Sequence, residues 1–260
     1  MTSRRVEMLK EMGVTPLWHL RRATPSADAP AVESLPPDVE QPEAGADRAA
    51  APTAFQGDER RAVILRMDQV ELRATVAQCT ACGLHATRRQ TVFGVGDENA
   101  DWLFVGEGPG AEEDALGDPF VGQAGRLLDN MLAAIDLKRG HNVYIANVVK
   151  CRPPGNRNPA PDEARQCEPY LQRQIELIRP RLIVALGRVA AQNLLSREAS
   201  ISSVRGQVLD YRGTPLIVTY HPAYLLRSLT DKAKAWEDLC FAVQTMRALQ
   251  EASPIMNGNG

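Results

Sequence analysis

Cys79 and Cys82 stand as a C-x2-C pair in "CTAC", and Cys151 and Cys167 follow far downstream in "KCRPPGNRNPAPDEARQC". Two close and two distant thiols form an S4 donor set, which suits zinc or an iron–sulfur cluster. Spacing does not choose between those metals, and it also admits four buried, inert thiols. Cys151 follows an apolar run and adjoins a polar edge, which favours ligation. Cys240 falls inside a helical pattern and reads as core or helix surface.

A second set of residues has the chemistry of a binding and reaction site. Glu107 lies in "GEGPG" at the end of an apolar run, where a carboxylate either catalyses or caps a turn. The neighbouring glycines, Gly108 and Gly110, allow close backbone approach and leave N–H groups free to donate. The segment has neither G-x-G-x-x-G nor the Lys-Ser/Thr pair of a P-loop, so it is not a nucleotide fingerprint. Phe120, between Pro119 and Val121, either plugs the core or stacks on a flat ring. Asn147 carries one acceptor and two donors, enough to read a base edge, or to satisfy a turn. His221 begins "HPAYLLR", where the following proline fixes its direction; it donates a hydrogen bond or serves as a structural histidine.

These residues need a frame. Short continuous apolar runs, "DWLFVG", "NVYIANVV", "RLIVALG" and "GTPLIVTY", read as strands buried on both faces. Between them lie helical patterns: "GQAGRLLDNMLAAIDL", "APDEARQCEPYLQRQIELIRP" with acids in its first turn, and "RVAAQNLL". One helix is expected over "ERRAVILRMDQVELRATVAQ" and another from about Lys232 to Glu251. Pro169 falls early in its helix, where it invites a kink. The alternation predicts an α/β fold: a single three-layer αβα domain around a central four-stranded parallel sheet. Ligands of such sheets sit beyond the carboxyl ends of the strands, where "GEGPG", "NVVKC", "GR" and "YHP" collect.

The domain is expected over residues 58–252, with a flexible tail at 253–260. Residues 23–57 hold six prolines, six acids and one base, too few large apolar groups to fold, and read as a disordered linker. Residues 1–22 read as a short helical segment ending in "PLWHLRR". It is either a tethered peptide for a protein partner or a helix packed on the body. The net charge is −2, and the 203 residues from 58 onward balance at zero, so charge alone does not advertise nucleic-acid binding. No apolar run approaches membrane-spanning length. "MTSRRVEMLKEMG" lacks the apolar core of a secretory signal. A cytoplasmic monomer is expected, in which cysteines serve ligation, catalysis or burial rather than disulfides.

Three stretches together carry a resemblance. "GEGPGAEEDALGDPFVGQAGRLLDNML", "VYIANVVKCRPPGNRNPAPDEARQC" and "VTYHPAYLLR" resemble the signature regions of the family 4 uracil-DNA glycosylases. The resemblance covers roughly residues 70 to 245. It implies a DNA repair enzyme that releases uracil from DNA by hydrolysing the N-glycosidic bond of deoxyuridine. It implies a [4Fe-4S] cluster held by Cys79, Cys82, Cys151 and Cys167, as an architectural brace. It makes Glu107 and His221 catalytic, and it makes Gly108, Phe120, Asn147 and His221 the uracil-binding set. Arg152, Arg157 and Arg227 would meet DNA phosphates, joined by Arg165. Leu225 or Leu226 would enter the gap left by the flipped base; the alternative is that both pack under the loop. A sister group that traps uracil covalently carries a histidine in an inserted loop after the second signature, and this chain has neither. A zinc-stabilised DNA-binding scaffold would account for the cysteines and arginines, but not for Glu107, Phe120, Asn147 and His221 on one edge.

Overall fold

The structure is a computed structural model that describes residues 54–252, with side chains from residue 58. The expectations for residues 1–53 and 253–260 lie outside the described residues. The body opens with two helices, α1 (Ala54–Ile64) and α2 (Gln69–Ala77). Residues 54–57, expected in the linker, are helical, and the single helix expected over 59–78 is two. Asp68 makes the break: its carboxylate accepts from Glu71 N at 2.8 Å, while Glu71 accepts from Asp68 N at 3.0 Å. This reciprocal cap starts a new helix in the middle of an otherwise helical composition.

The order continues β1 (Val95–Gly96), β2 (Trp102–Gly106), α3 (Ala111–Leu116), α4 (Gln123–Ala133), β3 (Val143–Asn147), α5 (Pro161–Ile178), β4 (Leu182–Leu186) and α6 (Arg188–Leu195). It closes with α7 (Ile201–Val204), β5 (Leu209–Tyr211), β6 (Thr214–Thr219), α8 (Pro222–Leu225) and α9 (Lys232–Ala252). Among the described residues the sheet has six strands in the order β1-β3-β2-β4-β6-β5. The four expected strands form its parallel centre, and β1 and β5 add an antiparallel strand at each edge, which corrects the expected strand number. Two- and three-residue strands are too short to display an alternation, so the sequence pattern passes over them.

The interiors of the four central strands are apolar because both faces are covered. Leu103, Val105, Ile183 and Ala185 point into one core with α5 and α6; Phe104, Leu182, Val184 and Leu186 point into the other, with α4 and α9. Each large side chain buried this way contributes about 1.5–3 kcal/mol. Helix α5 runs unbroken through Pro169. Its start is fixed by Pro161 at the first helical position and by Glu163, which accepts from Ala160 N at 2.7 Å.

Candidate active site

The parallel centre aims the ends of β2, β3 and β6 at one edge, and there a cleft of about 440 Å³ opens. Glu107, Gly108, Phe120, Asn147 and His221 all line it, with Arg157 and Arg227 at the same cleft. Asn147 is the last residue of β3 and pairs in register with Gly106 of β2. That pairing requires glycine: a Cβ at residue 106 would stand 2.4 Å from Asn147 Oδ1 and 2.5 Å from the Phe120 ring. Asn147 is only 2% exposed, and its Oδ1 has no hydrogen-bond partner. A buried acceptor left open costs about 1–3 kcal/mol, which a ligand donor would recover.

Phe120 forms one wall, its ring centroid 5.6 Å from that of His221. Its backbone is left-handed, at φ 56°, an uncommon state for a bulky residue. Arg139 holds it there, donating to Pro119 O at 2.7 Å and Phe120 O at 2.8 Å. Gly125 leaves room beneath, since a Cβ there would lie 1.8 Å from Phe120 O. Glu113 closes the same loop, accepting from Gly110, Val121 and Gly122 N–H groups at 3.0–3.1 Å.

His221 precedes α8, and its Nδ1 accepts from Ala223 N at 3.1 Å. A neutral ring in that arrangement carries its proton on Nε2, free to donate. Burial, reinforced by the Arg227 charge, lowers its pKa to about 4, so the ring is neutral at pH 7. Thr219, two residues earlier, donates to buried Asp238 of α9 at 2.9 Å, which anchors the end of β6. Burial raises the pKa of Glu107, and the positive charge of Arg188 partly offsets this.

The four cysteines meet at a separate cavity, lined by Cys79, Cys82, Cys151 and Cys167 together with Arg88 and Lys150. Cys79 and Cys82 come from the turn after α2, Cys151 from the loop after β3, and Cys167 from α5. Hydrogen-bond donors face the sulfurs: Arg88 Nη1 lies 3.1 Å from Cys151 Sγ, and Lys150 N lies 3.3 Å from Cys167 Sγ. Burial raises the thiol pKa of Cys82 and Cys151, and raises that of Cys167 to about 12. Negative charge on each of these three is further disfavoured by charge on other members of the set. Thiols crowded in this way ionise together only around a cation, and with Cys79 beside these three the donor set fits a thiolate-bound metal centre. Among the described residues no three His, Cys, Asp or Glu side chains converge closely enough for a single ion. Cys240 is half-buried on α9, apart from this cavity.

Between the two sites runs Lys150, 1% exposed, whose Nζ donates to Asn147 O at 2.9 Å and Gln174 Oε1 at 2.6 Å. A single stretch, residues 147–151, therefore supplies both the floor of the cleft and one of the four cysteines of the cavity.

A family model described as "Uracil DNA glycosylase superfamily" matches residues 93–240. A type-4 uracil-DNA glycosylase from Archaeoglobus fulgidus is 50% identical over 159 residues, covering 58% of this chain and 79% of that protein. One from Thermotoga maritima is 47% identical over 161 residues, covering 61% and 83%. The chain belongs to the type-4 uracil-DNA glycosylases. A type-5 uracil-DNA glycosylase from Pyrobaculum aerophilum is more distant, at 32% identity over 148 residues.

Within this type-4 chain the remaining expected site residues divide. Arg157 lines the cleft but is paired with Glu163 at 2.7 Å, and Arg152 donates to Asn156 at 2.7 Å on the same loop, outside the cleft lining. Arg165 pairs with Asp162. Leu225 is 1% exposed and packs with Met131, Ala235 and Leu239, so it is a core residue; Leu226, 40% exposed, is the one on the surface. The pair is adjacent in sequence, and only the turn of α8 decides which one faces out. Sequence reading missed Glu113, Arg139, Gly125 and Tyr224, whose ring stacks on Tyr220 and which also lines the cleft. Glu113 carried a usable signal, as the third residue after the glycine that starts α3; the partners of Arg139 were not inferable.

Proposed function

We propose that this chain releases uracil from DNA by hydrolysing the N-glycosidic bond of deoxyuridine, leaving an abasic site that starts base excision repair. The observation that carries the reading is the unpartnered, buried Oδ1 of Asn147 in a cleft walled by Phe120 and His221. Uracil offers an N3–H donor beside the O4 acceptor, and one fixed amide satisfies both. Cytosine reverses that order and is refused, because the buried amide would be left facing its own kind.

The base must leave the helix to reach this cleft, at a cost of about a few kcal/mol. The flipped ring stacks on Phe120. Gly108 lines the cleft without a side chain, because packing leaves no room for one: a Cβ there would lie 2.7 Å from Val149 Cγ2. His221 donates from Nε2 to O2 as negative charge builds on the departing base. The neutral ring carries no imidazolium proton to give, so the C1′–N1 bond breaks with its electron pair on uracil, which leaves as an anion stabilised by that hydrogen bond, while water bonds to C1′ and its released proton passes to the Glu107 carboxylate. Glu107 acts at the sugar side: its carboxylate orients the attacking water and offsets the positive charge that develops on the sugar. Arg152, Arg157 and Arg227 meet phosphates, and Leu226 fills the space vacated in the stack.

Cys79, Cys82, Cys151 and Cys167 would hold a [4Fe-4S] cluster. Its contribution is architectural, tying the turn after α2 to α5 and to the loop after β3. Hydrolysis exchanges no electrons, so the reaction asks nothing further of it. Among the described residues no helix is long and apolar enough to cross a membrane. The proposed setting is a monomer in the cytoplasm, with a protein partner for residues 1–22 as a separate proposal.

The test is strand cleavage by alkali at a labelled deoxyuridine, with thymine and cytosine in matched DNA as controls, on protein purified without oxygen. Repeated turnover on uracil alone is expected. Equal release of cytosine would sink the role given to Asn147.

A further inference from the structure

The polar surface at this edge extends past the base cleft. Asn158 lines the cleft and also a second, open groove of about 1140 Å³ between the start of α5 and α6 with the turn that follows it. Five arginines line the groove, Arg61, Arg165, Arg188, Arg197 and Arg212, against two carboxylates, Glu168 and Glu198. Glu168 is shared by Arg61 and Arg212, and Glu198 accepts from Gln192 at 2.6 Å. Arg188 and Arg197 are exposed, and neither guanidinium makes a hydrogen bond or ion pair among the described residues. The charge surplus is thus real and outward-facing, in a chain whose net charge is −2.

Arg188 links the two surfaces, since its charge reaches Glu107 in the cleft. No aromatic side chain lines the groove, so it has nothing on which to stack bases. Exposed guanidinium groups without aromatic platforms suit phosphate oxygens, which need charge and bidentate donors but no ring face.

We infer that this groove carries the phosphodiester backbone of the DNA as it leads away from the extruded nucleotide. The inference rests on the glycosylase reading of the neighbouring cleft. It extends the phosphate contact expected of Arg165 into a sequence-independent track on the α5–α6 side, beyond the loop arginines Arg152 and Arg157. The track holds the strand through its charge, and the cleft reads the base.

The experiment uses the full chain and a double variant, Arg165→Ala with Arg197→Ala, one from each wall of the groove. A second double variant, Lys138→Ala with Arg247→Ala, removes the same charge from exposed positions outside it. Binding of labelled, uracil-free DNA, single-stranded and duplex, is followed by fluorescence anisotropy across salt concentrations. For single strands the slope of log K against log salt should become shallower by about 1.4 in the groove variant, from about 0.7 per lost contact. Between about 50 and 200 mM salt its deficit against wild type should then shrink about sevenfold. In uracil release, the groove variant should raise KM on a long oligonucleotide and leave a very short one unchanged. A slope change confined to one form of DNA assigns the track to the unpaired strand or to the duplex. Wild-type slopes and KM in the groove variant, or equal changes in the control variant, would overturn the inference. Failure of wild-type protein to release uracil would instead strike the reading of the cleft, and the binding slopes would still decide the groove.

Discussion

The base cleft and the cysteine cavity share a strand end, yet they are finished in opposite ways. At the cleft, polar groups of the walls are satisfied from behind and left open in front. His221 is pinned through Nδ1, Phe120 through its backbone carbonyl, and Asn147 keeps a bare Oδ1. At the cavity, Arg88 and the Lys150 backbone N–H point inward at sulfur, and the thiols are crowded, with Cys151 and Cys167 buried. On the proposed reading, the first region would take a ligand that comes and goes, and the second would hold a resident cluster. Lys150 binds the two mechanically, since it holds the Asn147 carbonyl and adjoins Cys151. Rate and stability should therefore separate by region when each is damaged.

The sharpest break is Asn147→Ala. Two hydrogen bonds to the base would go, about 4 kcal/mol together, so kcat/KM on uracil should fall about 10³-fold. The melting temperature should hold or rise, because an unsatisfied buried acceptor is removed. Steady-state kinetics beside a thermal melt would show both.

His221→Ala should lower kcat about 10²–10³-fold, the usual cost of one preorganised donor. The same residue gives a pH signature. Its folded pKa of about 4 lies below the ordinary 6.5, so the unfolded chain binds more protons between those values. Stability from this group therefore rises with pH from about 4 to 6.5 and is flat above. Urea melts across that window should show the slope in wild type and its loss in the variant. Retention of the slope would assign it to other groups.

Cys151→Ser tests the other region. Visible absorbance should disappear and the melting temperature should fall by about 10 °C or more, from a loss of about 4 kcal/mol. Turnover per folded molecule should change less than tenfold, about 1.4 kcal/mol. If turnover collapsed as far as in Asn147→Ala while the fold survived, the division between the regions would be wrong.

The smallest effect belongs to Leu226→Ala. Losing an exposed apolar wedge should cost about 1 kcal/mol on duplex DNA, roughly fivefold in kcat/KM. Single-stranded DNA has no stack to refill, so it should show little change.

The central strands were readable because burial on both faces writes an unbroken apolar run, and β4, Leu182–Leu186, is entirely apolar. The edge strands β1 and β5 were not, because two or three residues carry no period. The break between α1 and α2 was present as Asp68 and Glu71, but a continuous helical composition masked it. Glu107, Phe120, Asn147 and His221 were legible as types at strand ends and loops, and the fold does bring them to one cleft. Their supports were not legible: Arg139 reaches Phe120 from 19 residues away, and Asp238 reaches Thr219 across the same separation.

By itself the sequence determined the alternation of strands and helices, the four thiols and the residue types collected at the carboxyl edge. Those properties are local, carried by apolar period, turn chemistry and motif spacing. Only the tertiary structure decided that Leu226 rather than Leu225 faces outward, that Asn147 keeps its acceptor open, and that the side chains of Arg188 and Arg197 stand unpaired among the described residues in the groove next to the cleft. Each of those depends on which distant side chains occupy the space around a group, and a linear pattern does not encode that occupancy.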